Sequence, residues 1–148
     1  MAARYAVDTN VLLRLSHPNH PQHELISGAM RRLESQGVEL CFMPQNLGEY
    51  WNVSTRPLNR NGLGLSVQET NFHILSIQRN MNLLAENESV YRVWHRLLVD
   101  HNVQGVLVHD AHLAAVMEVH NVRHLLTLNG PDFKRFLYVI PVHPEDVS

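Results

Sequence analysis

Four acidic side chains stand where the sequence pattern indicates that a strand ends or a helix begins: Asp8, Glu49, Asp110 and Asp132. The carboxyl ends of the strands in an open parallel sheet line one crevice, so residues far apart in sequence can converge there. Carboxylates gathered in one crevice repel each other unless a cation binds between them. Because oxygen ligands favour hard divalent cations, the four acids predict a site for Mg²⁺ or Mn²⁺.

Each of these acids also has an ordinary structural explanation. Asp8 can cap the helix that follows it, because aspartate is a favoured N-terminal cap. Glu49 and Asp110 stand near the starts of their helices, where a negative charge gains about 0.3–1 kcal/mol from the helix dipole. Asp132 can cap the short turn Phe133–Phe136. The position of all four acids at the same end of the predicted elements nevertheless favours a shared site.

The elements that must position these acids alternate between strand-like and helix-like segments. Ser66, with Glu69 three residues later, forms a capping-box pattern that predicts a helix start. The predicted strands are residues 4–8, 38–43, 125–127 and 138–140, and the predicted helices are 21–36, 44 to the proline at 57, 66 onward, 88–99 and 109–120. This alternation predicts an α/β sandwich with a mainly parallel sheet.

The composition bounds the class of protein. A chain of 148 residues can bury a core of its own, so we expect one domain over residues 1–148. No apolar run approaches the roughly 18 residues that span a bilayer, so we expect no membrane partner. The single cysteine, Cys41, excludes an internal disulfide and is typical of a reducing cytoplasm. The net charge of −2 carries no overall nucleic-acid signature, so such a function would rest on local chemistry.

Four segments in chain order resemble the motifs of PIN domains: Asp8–Leu12, Gly48–Val53, His109–Ala115 and Leu126–Phe133. The likeness extends from about residue 4 to residue 143 and indicates the small bacterial PIN proteins that include the VapC-type toxins. This resemblance implies a three-layer α/β/α sandwich that cleaves RNA with bound Mg²⁺ or Mn²⁺. It also implies an antitoxin protein as a partner and self-association, most simply as a homodimer.

The same resemblance assigns roles to individual residues. Asp8, Glu49 and Asp110 would be the first three catalytic and metal-binding acids, and Asp132 would be the fourth. Asn129, three residues before Asp132, stands where many relatives have a carboxylate or an amide. Its neutral amide oxygen is a weaker ligand for a hard cation than a carboxylate, which bears on whether a second metal binds.

The chemistry that such a site supports is hydrolysis of a phosphodiester. A metal held by Asp8 and Asp110 lowers the pKa of a water molecule and offsets charge on the scissile phosphate. Glu49 or Asp132 would hold a second metal or position the attacking water. The Thr9 hydroxyl would orient a phosphate or a water molecule. In-line attack would leave a 5′-phosphate and a 3′-hydroxyl, so the 2′-hydroxyl of RNA need not take part.

Two other functions stay open beside the leading hypothesis of a toxin ribonuclease. A haloacid-dehalogenase-like phosphatase also begins with an aspartate at a strand end. That family needs a second aspartate two residues later, where this chain has Asn10. A PIN-like module without turnover would act only by binding, and Asn129 in the last motif is compatible with such a loss.

Several basic side chains are candidates for contacts with RNA phosphates, because phosphate contacts position a nucleic acid strand. They lie near the predicted acidic rim or in the loop that begins at residue 57. Each of them also fits the ordinary description of a solvated surface charge. The candidates are Arg14, Arg56, Arg60, Lys134 and Arg135.

Overall fold

The computed structural model describes residues 2–148. Its strands are β1 (Arg4–Val7), β2 (Glu39–Phe42), β3 (Asn82–Leu83), β4 (His124–Leu126) and β5 (Ile140–Val142). Its helices are α1 (Thr9–Leu15), α2 (His23–Ser35), α3 (Pro44–Thr55), α4 (Val67–Asn80), α5 (Glu88–Asp100) and α6 (Leu107–Val119). Short 3-10 turns cover Leu58–Arg60, Gly130–Phe133 and Pro144–Asp146. No helix within residues 2–148 combines the length and the apolar character needed to cross a membrane.

The strands described form one sheet in the order β3-β2-β1-β4-β5, with every neighbouring pair parallel. Helices cover both faces. Ala6 of β1 belongs to the core shared with α5 and α6, whereas Val7 belongs to the core shared with α1, α2, α3 and α4. Leu125 and Leu126 of β4 divide in the same way. Because successive side chains of a strand point to opposite faces, the prediction of a three-layer α/β/α sandwich is confirmed.

Local signals in the sequence determine where several helices begin. The Ser66 hydroxyl accepts the Glu69 N–H at 3.0 Å, and the Glu69 carboxylate accepts the Ser66 N–H at 3.3 Å, which confirms the predicted capping box. Pro44 occupies the first turn of α3, where a missing N–H costs nothing. Asn87 accepts the N–H of Val90 at 3.0 Å and begins α5.

Two strands differ from the sequence prediction by more than one residue at an end. The pattern predicts the last strand at residues 138–140, but β5 covers Ile140–Val142. The chain is still turning at Val139, whose N–H donates to the Phe136 carbonyl at 2.9 Å. Ile140 is the first residue that pairs with β4, opposite His124. β3 escapes prediction because two exposed residues are too few to show an alternating pattern.

The central position of β1 brings the polar segments of the chain to one edge of the sheet. β1 lies between β2 and β4, with Ala6 opposite Cys41 and Val7 opposite Leu126. The carboxyl ends of these three parallel strands are therefore neighbours. Asp8 follows β1, α3 with Glu49 follows β2, and the turn Gly130–Phe133 with Asp132 follows β4. Three of the four predicted acids therefore lie at the same edge of the sheet.

Two glycines with different surroundings give a matched test of the fold, because a Cβ fits at one position and clashes at the other. A Cβ on Gly62 would lie 1.9 Å from the Arg56 carbonyl oxygen, so Gly62→Ala should lower the free energy of unfolding by about 1–3 kcal/mol. Gly48 is exposed in α3 and a Cβ there would meet nothing within 4 Å, so Gly48→Ala should raise stability by roughly 0.5–1 kcal/mol. Thermal denaturation measures both. Equal shifts in Tm would contradict this assignment.

Candidate metal-binding site

Asp8 lies directly after β1 and is buried, with 8% of its surface exposed. Its N–H donates to the Leu126 carbonyl at 2.9 Å, which extends the contact between β1 and β4. Its Oδ1 accepts the Thr9 N–H at 2.8 Å, so Asp8 does cap α1. Its Oδ2 accepts the Thr127 hydroxyl at 2.7 Å and the Asn10 amide at 3.4 Å. Donors on both oxygens give the carboxylate one fixed orientation.

The charge of Asp8 is disfavoured by its surroundings. Burial is the largest effect and raises the pKa of Asp8, because the charged form loses its water. The hydrogen bonds from Thr127 and Thr9 lower this pKa, whereas the negative charges of Glu49 and Asp132 raise it further. Glu49 and Asp132 therefore lie close enough to Asp8 to repel it.

Glu49 is held in place by Thr9. The Thr9 hydroxyl donates to Glu49 Oε1 at 2.9 Å and accepts from the Asn46 side-chain amide at 3.0 Å. Asn46 in turn accepts the Met43 N–H at 2.7 Å, which fixes the first turn of α3. The hydroxyl proton of Thr9 is thus engaged with Glu49. Direct contact between Thr9 and a phosphate or water stays a prediction.

Asp110 reaches the cluster from a helix that follows another helix, since α6 follows α5 through residues 101–106. Burial is the main reason that the pKa of Asp110 is raised to about 7, and the charges of Asp8, Asp132 and Glu49 add to this effect. The positive charge of Arg135 acts in the opposite direction on the same pKa. Among residues 2–148, no hydrogen-bond donor reaches the Asp110 carboxylate. The structure therefore brings all four predicted acids into one electrostatic cluster.

The other two predicted site residues lie on the turn after β4. Asp132 belongs to the 3-10 turn Gly130–Phe133 and is exposed. Asn129 precedes this turn, and its N–H donates to the Thr127 hydroxyl oxygen at 3.0 Å. Its carbonyl accepts the Asp132 N–H at 3.1 Å, which holds the turn closed. The Asn129 side chain makes no hydrogen bond within residues 2–148, so its part as a ligand stays a prediction.

Sequence reasoning missed two buried polar residues of the site, Thr127 and Asn46. Thr127 follows the apolar pair Leu125–Leu126, and a hydroxyl at the end of a buried strand is the signal that could have identified it. Asn46 fits the start of a helix, and its hydrogen bond to the Met43 N–H accounts for that pattern. Its second contact, with Thr9, joins two elements and leaves no mark in the local sequence.

The chemistry of the cluster fits a hard divalent cation. Its candidate ligands are oxygen atoms, and the pKa values of Asp8 and Asp110 are both raised, which a bound cation would reverse. In the described part of the chain, no three carboxylate, imidazole or thiol groups are already gathered tightly enough to form a metal site. The acids are therefore a loose cluster that a cation would draw together.

The chain belongs to the PIN domain family, because the model of that family, described as "PIN domain", matches residues 5–136. This match covers all four acids and, apart from the first residue of β1, every strand before β5. It decides against the haloacid-dehalogenase alternative. A comparison with curated proteins found no match.

Solved structures from bacteria share the fold. VapBC2 from Rickettsia felis, bound to a DNA fragment from its promoter, superposes with a TM-score of 0.68 at 14% identity over 95% of this chain and 98% of that one. VapC20 from Mycobacterium tuberculosis, described as a toxin that cleaves the sarcin–ricin loop, gives 0.64 at 17% identity over 88% and 93%. FitAcB from Neisseria gonorrhoeae gives 0.63 at 16% identity over 95% and 98%.

The raised pKa of Asp110 predicts that the metal-free protein loses stability as the pH rises. The folded pKa is about 7 and the ordinary value is 3.8, so the native state binds more protons than the unfolded chain between these values. Stability must then fall as pH rises through this window and level off above it. Urea denaturation from pH 4 to pH 8 measures the effect. Asp110→Asn should reduce the fall and leave the part that Asp8 contributes, whereas Glu34→Gln on the exposed surface of α2 should keep it in full. An equal slope in both variants would contradict a raised pKa of Asp110 in the folded protein.

The bond from Thr9 to Glu49 predicts a selective effect of the Thr9 hydroxyl. Thr9→Val keeps the shape but removes the proton that Glu49 accepts, so metal affinity should fall by about 10-fold to 100-fold. Thr9→Ser keeps the hydroxyl and should retain most of the affinity. Isothermal titration with Mn²⁺ compares the two variants. If Thr9→Val keeps the native affinity, the hydrogen bond to Glu49 does not contribute to metal binding, whereas a loss confined to Thr9→Ser would assign the effect to packing of the methyl group.

Proposed function

We propose that this chain is an endoribonuclease that uses Mg²⁺ or Mn²⁺, and that it is the toxin of a toxin–antitoxin pair. In this proposal, residues 1–148 act as one PIN-like domain. The observation that carries it is the cluster of four acids at the carboxyl edge of the sheet in a chain of the PIN family. PIN-domain nucleases generally use a divalent metal, and the oxygen-only donors here suit Mg²⁺ or Mn²⁺.

The residues divide into those that are already held and those that are free to adjust. Asp8 is fixed by donors on both oxygens and Glu49 by Thr9, so these two would define the position of an ion. Asp110 and Asp132 would complete the ligand set. When bound, the ion would supply positive charge for the scissile phosphate and acidify water. In the absence of the ion, the raised pKa lets the Asp110 carboxylate hold a proton near neutral pH.

The toxin role rests on the fold family and on what the similar structures are. VapC20 is described as a toxin that cleaves the sarcin–ricin loop, and VapBC2 is bound to a DNA fragment from its promoter. By this likeness the partners of the present chain would be an RNA substrate and an antitoxin protein. A cationic side chain of that antitoxin would be attracted to the same acids and would take the electrostatic place of the metal.

Cleavage of RNA tests the enzyme directly. Purified protein should cleave single-stranded RNA with Mg²⁺ or Mn²⁺ and should be inactive in EDTA. Asp8→Asn, Glu49→Gln and Asp110→Asn should each lower kcat on the order of 10²-fold or more, because each removes a charged ligand. Asp132→Asn should be milder, since this exposed turn already carries a neutral Asn129.

Glu34→Gln serves as the control, because this exposed side chain of α2 lies outside the cluster. Gel electrophoresis of end-labelled RNA measures the rates, and circular dichroism checks the fold of each variant. Folded native protein that binds RNA but does not cleave it would favour the binding module over the enzyme. Full activity in Asp8→Asn or Asp110→Asn would contradict the proposed role of that acid in catalysis.

The predicted homodimer has a candidate surface on α3 and α4. Phe72 and Leu75, three residues apart on α4, are 67% and 41% exposed, and Leu47 on α3 is 42% exposed. We expect a dimer in sedimentation at tens of micromolar. Phe72→Glu should shift it toward monomer, whereas Tyr91→Glu, at an exposed position of α5, should not. A native monomer would contradict self-association, and the reverse pattern would place the interface on α5.

A further inference from the structure

Two adjacent basic residues stand directly after the turn that carries Asp132. Lys134 and Arg135 are both exposed, and they form what we call the basic tip. Lys134 is the single lysine of the chain. The tip leaves the turn Gly130–Phe133 at the carboxyl edge of the sheet, on the same side as the acids. A compact pair of positive charges thus borders an acidic cluster.

The backbone of the basic tip is anchored on both sides. Phe133 and Phe136, which flank it, are each 1% exposed and belong to the core shared with α5 and α6. The Phe136 N–H donates to the Phe133 carbonyl at 3.0 Å, which closes the chain between the two anchors. The tip therefore has little backbone freedom to lose when it binds a ligand.

The side chains of the basic tip have no hydrogen-bond or salt-bridge partner in the described part of the chain. Arg14 and Arg56, two other candidates for RNA contacts, donate instead to Gln22 at 3.2 Å and to the Asn61 carbonyl at 3.1 Å.

The remaining candidate, Arg60, lies at the far end of α3. This helix begins at the acidic edge and has 12 residues, which corresponds to a length of roughly 18 Å. Arg60 follows its last turn and is therefore remote from Asp8 and Asp132, which follow β1 and β4 at that edge. Arg135, in contrast, is close enough to Asp110 to lower the pKa of that carboxyl. The basic tip is the cationic group that borders the cluster.

An RNA strand can reach the acids only if something offsets their repulsion of its phosphates. Resting on the proposed function, we propose that Lys134 and Arg135 bind backbone phosphates of the RNA substrate beside the bond to be cleaved, and so hold the strand over the acidic cluster. The planar guanidinium of Arg135 suits two parallel hydrogen bonds to one phosphate, and the ammonium of Lys134 supplies a point charge to the next.

The competing role for Arg135 is that of an internal counter-ion for the acids. A counter-ion would act on the stability of the metal-free protein and would leave the affinity for RNA unchanged. A phosphate contact would act on RNA affinity and on its salt dependence, because each contact releases a counterion from the strand. These two readouts separate the roles.

The test measures binding of a short fluorescein-labelled single-stranded RNA by fluorescence anisotropy in EDTA, which prevents metal-dependent cleavage. Lys134→Ala and Arg135→Ala should each raise Kd several-fold and reduce the slope of log Kd against log salt by about 0.7. Arg135→Lys should recover part of the loss. Arg79→Ala is the matched control, because Arg79 is exposed at the end of α4, where the chain enters β3 at the opposite edge of the sheet.

If Arg135→Ala and Lys134→Ala leave both Kd and the salt slope unchanged, while the native protein binds and cleaves RNA, the basic tip does not bind phosphates. The proposed function would then remain intact. An equal loss in Arg79→Ala would also overturn the role of the basic tip, because overall charge would then explain the effect. Native protein that neither binds nor cleaves RNA would overturn the proposed function itself. Steady-state cleavage with Mg²⁺ provides a second readout: both tip variants should raise KM.

Discussion

The buried carboxylate of Asp8, at the end of the central strand, is the group on which the rest of the site depends. A buried charge is costly unless hydrogen-bond donors replace its lost water. Here the donors come from Thr9 on α1 and from Thr127 at the end of β4. Thr9 is the next residue in the chain, whereas Thr127 reaches Asp8 because β1 and β4 are paired with Val7 opposite Leu126. The register of the two strands therefore fixes the position of the Asp8 carboxylate relative to Thr127.

The site combines a rigid half with an adjustable half. Asp8 and Glu49 are fixed by short chains of hydrogen bonds that end at backbone groups, the Asn129 N–H on one side and the Met43 N–H on the other. Asp110 receives no donor from the described chain, and its raised pKa reflects burial next to other negative charges. Such a division suits a group of ligands that repel each other when empty and must converge when a cation arrives.

The functional charges of this protein are clustered locally, and its net charge does not show these clusters. A net charge of −2 gives no indication of a nucleic-acid partner. At the carboxyl edge of the sheet, however, four acids lie beside the basic tip, whose flanking phenylalanines fix it in the core. Attraction for a cation and attraction for a phosphate can therefore exist side by side on one short edge, because the two kinds of charge are held on separate, anchored segments.

The sequence by itself determined the elements whose signals are local. The capping box at Ser66 and the proline at the start of α3 each act within one turn of the chain. The four acids were also predicted from sequence, by the motifs that contain them, and their role as ligands stays a prediction. Periodicity failed where an element was too short, as in β3, or where the chain was still turning, as before β5.

Only the tertiary structure decided how the site is held together. Thr127 lies 119 residues from the carboxylate that it contacts, and Asn46 lies 37 residues from Thr9. Asp110 enters from a helix that follows another helix, so no strand end marks its place. The physical reason is that a side-chain hydrogen bond acts over about 3 Å and requires a particular direction. Which groups satisfy that requirement is set by strand register and helix packing, which bring together residues that are distant in the chain.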